Sequence, residues 1–126
     1  VGKVIPLYCT AIGKIFLSEK SPAELDAYLK ATVLKPFTVR TIKTKEALID
    51  QLKLTKTRGW AIDDQEHEDN VMCIAAPIRD YTKSVVAAIS VSWPLFRFNK
   101  DEFEKATKEI KSVADELSIV LGYEEE

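Results

Sequence analysis

The sequence predicts an α+β domain, an antiparallel sheet with helices packed on it. Two long apolar runs, residues 71–78 and 85–92, meet at a short polar turn between Arg79 and Lys83, as the arms of a hairpin do. Segments with helical periodicity and cap residues lie before and after them, so helices and strands must share one core. The length of 126 residues suits a single domain, and an apolar share of 46% is enough to build that core.

The stretch from Pro6 to Cys9 reads as extended. A short helix over residues 10–17 follows, with Thr10 at or near its N-cap. Gly13 inside it costs roughly 1 kcal/mol relative to Ala, so something should approach closely there. Ser21-Pro22-Ala23-Glu24 is a helix start: Ser21 caps, Pro22 suits the first turn and Glu24 reaches back in a capping box. Leu25, Tyr28 and Leu29 then share a face. Thr44 opens a third helix with Ala47, Leu48, Leu52 and Thr55 as its inner stripe, and Gly59 closes it. A short strand over residues 60–63 leads into an acidic run, and Asn70 can take a left-handed turn before the hairpin. Asn99 starts the last helix, Glu102 completes a capping box, and Phe103, Ala106, Ile110, Val113, Leu117 and Val120 form its apolar stripe.

The hairpin carries the chemistry. If Asp80 pairs with Lys83 across Tyr81-Thr82, Cys73 falls opposite Ser90 and Val71 opposite Ser92. Side chains alternate faces, so Val71, Cys73, Ser90 and Ser92 share one face with small residues around them. Met72, Ile74 and Ile89 make the other, apolar face. An odd-length loop would break this pattern and put Ile89 or Val91 opposite Cys73. Hydroxyls in a buried strand need partners, either a neighbouring backbone or a bound ligand. The helix starting at Thr10 offers free N–H groups, and with that end over the hairpin face the two would form a small anion site. Asp63 would accept from a ligand hydroxyl or hold its loop in place.

Composition narrows the function. A net charge of −2 argues against nucleic-acid binding by this segment itself. There is no run of about 18 apolar residues and no signal-peptide pattern, so the expectation is a cytoplasmic protein with no membrane partner and with Cys9 and Cys73 as reduced thiols. The chain begins on Val1-Gly2-Lys3 with no Met, which predicts a fragment of something longer. Asp63, Asp64, Glu66, His67, Cys9 and Cys73 are metal-ligand types, but their spacing fits no metal motif, so no metal and no cofactor is expected. No catalytic residue is assigned either: Cys73 would need a lowered pKa, and His67 lies in an acidic loop with nothing to place it beside Cys73.

Four stretches together resemble the effector-binding domain of IclR-type transcription regulators. They run from Pro6 to Lys14, from Arg58 to Asp64, from Cys73 to Asp80 and from Val85 to Ser92, and the similarity extends to Leu121-Gly122-Tyr123. The resemblance implies a GAF-like fold over residues 1–126, with the first strands and an N-terminal winged helix-turn-helix lying outside the chain. It implies a pocket for a small organic acid lined by Thr10, Ala11, Ile12, Gly13, Asp63, Cys73, Ser90 and Ser92, DNA contact only through the absent domain, and homodimers or homotetramers. Three residues depart from the family pattern. Asn70 and Trp93 stand where Gly is usual, and Gln65 replaces a common acid. Trp93 follows the second serine and is expected beside the pocket, narrowing it or supplying an aromatic wall. Two other readings fit the same resemblance: a GAF-like redox enzyme of the methionine sulfoxide reductase type using Cys73, and an oligomerisation module with a vestigial pocket.

Overall fold

The computed structural model describes residues 6–125. The order of elements is α1 (Ala11–Ser18), α2 (Pro22–Ala31), α3 (Lys45–Arg58), β1 (Ala61–Asp64), β2 (Val71–Arg79), β3 (Val85–Pro94), a 3-10 turn (Leu95–Arg97) and α4 (Lys100–Val120). The three strands form one antiparallel sheet in the order β1-β2-β3, so the α+β expectation holds. The helices divide between the two faces of the sheet: α1 touches all three strands, with α3 packed behind it, and α4 covers the opposite side.

Local chemistry explains the helix ends. Thr10 Oγ1 accepts from Gly13 N–H at 3.1 Å and caps α1. Ser21 and Glu24 form the complete capping box of α2, with Pro22 in its first turn. Thr44 caps α3, and Gly59 closes it at φ 81° with its N–H on Thr55 O, a left-handed conformation that suits glycine. Asn99 Oδ1 accepts from the N–H groups of Asp101 and Glu102, so Asn99 caps α4. The capping box expected there is only half made: Asn99 Oδ1 takes the Glu102 N–H, but the Glu102 carboxylate does not reach back to the Asn99 N–H.

Two other expectations change. Ala47 is exposed, and α3 buries Leu48, Leu52 and Thr55. In α4 the most deeply buried positions are Thr107, Ile110, Ala114 and Ser118, while Val113, Leu117 and Val120 are exposed. Small side chains let the helix lie close to the sheet. Ser118 Oγ then accepts from Arg79 N–H at 2.9 Å and pins the helix to the end of β2. A Leu stripe reads more loudly in a sequence than Thr, Ala and Ser do, and so the buried side was misplaced by one row of the helix.

The hairpin register differs from the expected one by two residues. Cys73 pairs with Ser92 and Ala75 with Ser90, while Val71 lies opposite Pro94. The connecting loop spans residues 80–84, the odd length that would swap faces. Arg79 pairs with Val85 but Ile78 pairs with Ala87, so a bulge at this point leaves Val86 as an extra residue and restores the parity. The faces therefore come out as expected although the partners do not.

Candidate functional site

Antiparallel pairing lines up residues across all three strands. Asp63, Cys73 and Ser92 form one row, and Ala61, Ala75 and Ser90 the next. Both rows look toward α1, whose Ala11 and Ile15 pack against Ala61 and Ala75, with Cys73 and Ala88 alongside. The N-terminal end of α1 thus lies over the hairpin face. Its cap serves Gly13 N–H, and Lys14 N–H returns to Thr10 O, which leaves the Ala11 and Ile12 N–H groups at the helix start. The Ile12 side chain itself is 41% exposed, so its contribution to such a site is its backbone.

Asp63 is buried and its Oδ1 accepts from Glu66 N–H at 2.8 Å, which curls the loop after β1 back over the strand end. Gln65 and Asn70 bracket this loop with φ 60° and 63°, so Asn70 does take the left-handed turn. Burial lifts the Asp63 carboxyl to about 6. The Glu66 carboxylate pushes the same way, and the Glu66 and His67 N–H groups and Lys14 oppose it. Burial also raises the Cys73 thiol, with Asp63 adding to it and a hydrogen bond with Ser92 working against it. A raised thiol is the opposite of what a nucleophile needs. The His67 ring packs 5.4 Å from that of Phe37. Neither observation supports a redox site at Cys73. Cys9 is fully buried, and burial carries its thiol up to about 11. Among the described residues no group of three metal-ligating side chains could hold an ion, and no helix is long and apolar enough to cross a membrane.

A pH prediction follows for Asp63. Its folded pKa lies above the ordinary 3.8, so wild-type stability falls as pH rises from about 4 through about 6. Asp63→Asn keeps an oxygen for Glu66 N–H and has nothing to ionise. Relative to wild type it should gain on the order of 3 kcal/mol across that window. Urea unfolding at several pH values measures this, and a difference independent of pH would mean that Asp63 titrates as an ordinary exposed acid.

Ser90 and Ser92 do not sit in a closed strand. Both are exposed, because β3 is an edge of the described sheet. Val71 is half-buried on the same face as Cys73.

Trp93 is the correction. It pairs with Met72, one residue out of step with the Cys73–Ser92 row, so it faces α4. Its ring lies 5.9 Å from that of Phe103, in a core with Ile74, Ala76 and Ile110. It neither narrows the α1 face nor walls it, and its replacement by Gly would open the core under α4 instead.

The residue that sequence reasoning missed is Lys14. It is wholly buried, and its Nζ bonds Ile62 O at 2.7 Å and both carboxylate oxygens of Glu66 at 2.7 and 2.8 Å. Glu66 Oε2 also accepts from Asp64 N–H. Thr38 and Thr41 donate to the carbonyls of Gln65 and Glu66 and brace the same loop from outside. The available signal was position: Lys14 lies three residues after Ala11 and four before Ser18, on the sheet side of α1, with an acidic run to supply a counter-charge.

Known proteins share this fold. Residues 1–119 match the family described as bacterial transcriptional regulator IclR C-terminal. The HTH-type transcriptional regulator XynR of Escherichia coli is 33% identical over 98% of the chain, which covers 49% of XynR. The crystal structure of the C-terminal domain of the E. coli transcriptional regulator KdgR superposes with a TM-score of 0.88 at 33% identity, over 98% of this chain and 75% of that one. The inducer-binding domain of PobR from Acinetobacter, solved as a double mutant with 3-hydroxybenzoic acid, shares the fold at a TM-score of 0.87 and 22% identity, over 94% of this chain and 68% of that one. The chain spans about half the length of the curated relatives it matches.

Proposed function

The chain belongs to the IclR family of bacterial transcriptional regulators, matching the C-terminal domain, and from that membership we propose that it senses a small organic acid on the sheet face beneath α1. The observation that carries this reading is the meeting of two features from distant parts of the chain. The N-terminal end of α1 packs on the sheet face that carries the row Asp63–Cys73–Ser92, against Ala61 and Ala75 with Cys73 beside them. A helix start attracts a carboxylate through its unpaired N–H groups and its dipole. The Ser92 and Ser90 hydroxyls donate from the strand edge. Thr10 and Gly13 set the position of the helix start, Val71 and Cys73 supply neighbouring wall, and Asp63 holds the adjoining loop and can accept from a ligand hydroxyl.

The fold is known to carry such a ligand: the PobR domain was solved with an aromatic hydroxy acid. In the reading proposed here the domain has no catalytic role, works in the cytoplasm, assembles as a homodimer or homotetramer, and modulates DNA binding by a part of the protein outside this chain. XynR and KdgR, both described as HTH-type regulators, extend well beyond the matched region, which supports that division of labour.

A thermal-shift panel of small carboxylates tests the reading. Ligand at about 100 times its dissociation constant should stabilise the domain by about 2.7 kcal/mol. Ser90→Ala with Ser92→Ala should abolish most of that gain while leaving the unliganded melting point nearly unchanged, since both residues are exposed. The reading fails if no acid stabilises the wild type, or if the double variant responds as the wild type does.

A further inference from the structure

A groove of about 660 Å³ lies behind α1, between α2 and α3. Leu17 at the C-terminal end of α1, Leu25 and Leu29 of α2, and Ile49 and Leu52 of α3 give it an apolar wall. Its polar margin carries Lys20, Lys53 and Lys56 with a single acid, Asp26. These charges do not cancel one another. Asp26 is paired with Lys30 at 2.9 Å, and Lys56 with Glu19. Among the described residues Lys53 forms no ion pair, and Lys20 forms none either, although its charge acts on the exposed Glu24 carboxylate.

We propose that this groove is a second binding site, for an amphiphilic anion of the straight-chain carboxylate type. Its volume lies within the roughly 300–1,000 Å³ of small-molecule sites, which are mostly apolar with a few convergent polar groups. The alkyl tail covers the half-buried Leu25 and Ile49 and removes them from water, with the buried Leu17, Leu29 and Leu52 as the floor beneath. The carboxylate is met by Lys20 and Lys53 on the groove's margin, and two cations suit a single head group better than the row of acids on an acidic helix. The site is distinct from the hairpin face, because α1 lends its first turn to one and its last turn to the other.

Decanoate below its micellar range is the probe, read by methyl NMR on the whole chain. Saturable shifts at the methyls of Leu25, Leu29, Ile49 and Leu52 are expected, with affinity falling by up to about fourfold for each methylene removed. Lys20→Glu with Lys53→Glu should weaken decanoate by about tenfold and leave decanol unchanged. The methyl spectrum of the variant reports its folding, and Lys53→Gln alone should give an intermediate loss if the double variant is disturbed. The proposal is overturned if decanoate leaves these methyls unmoved, or moves only those of Val71, Ala75 and Ala88 on the hairpin face. Equal losses for decanoate and decanol would also overturn it. So would an acidic amphipathic peptide that shifts the groove methyls where decanoate does not, since the groove would then be a helix dock.

Discussion

Lys14→Met is expected to cost the domain about 3–5 kcal/mol, enough to leave much of it unfolded at ordinary temperatures. The side chain is wholly buried and its Nζ holds Ile62 O and both oxygens of Glu66. Methionine fills similar space but leaves the Glu66 carboxylate buried, with Asp64 N–H as its remaining donor. A charge stranded in this way costs far more than the intact pair contributes. Lys14→Met combined with Glu66→Leu should therefore be more stable than Lys14→Met alone. Urea unfolding of the single and double variants measures both effects. A loss below about 1 kcal/mol for the single variant would mean that the pair behaves like an exposed one. The interaction joins α1 to β1 and to the loop that Asp63 holds, so partial loss should also loosen the candidate site.

Gly13→Ala should be the second large effect, and its sign runs against helix propensity. Alanine is better than glycine inside a helix by about 1 kcal/mol. Here a Cβ would stand 2.2 Å from Leu7 O, 2.5 Å from Leu7 Cα and 2.6 Å from Thr10 Oγ1. Two of these atoms are backbone and cannot swing aside, and the third belongs to the cap of the same helix. Overpacking of this kind costs about 1–3 kcal/mol and sometimes more, and with the helix gain of about 1 kcal/mol set against it a net loss of about 2 kcal/mol is expected. Thermal unfolding reads it directly, and a neutral or stabilised variant would show that the Leu7–Thr10 segment yields easily. The same glycine that raised the expectation of close contact is where the chain before α1 crosses the helix.

Much of the architecture could be read without coordinates because local signals agreed with one another. Thr10, Ser21, Thr44 and Asn99 each marked a helix start, and each caps one. The shared face of Cys73, Ser90 and Ser92 was legible from period-two alternation, and it survived a wrong register because the odd loop and the bulge at Val86 offset each other. What could not be read depended on contacts between distant segments. The same alternation rule that grouped the serines places Trp93 on the α4 face, yet a likeness to a position usually held by glycine drew it to the pocket. The buried pair of Lys14 and Glu66 joins residues far apart in sequence, and charged side chains are by default expected outside. The exposure of Ser90 and Ser92 goes with the place of β3 at the edge of the sheet that the described residues form, which strand patterning alone does not reveal.

The central claim is that a small acid binds where the first turn of α1 meets the Asp63–Cys73–Ser92 row. Backbone amide NMR, during titration with the acid that most raises the melting point, tests it most directly. The account predicts saturable shifts at the Ala11, Ile12, Cys73 and Ser92 amides, with the largest at the two helix N–H groups, since these would donate to the carboxylate. Shifts centred instead on Trp93 and Phe103 across the sheet, or an acid that stabilises the domain while leaving Ala11 and Ile12 unmoved, would contradict it.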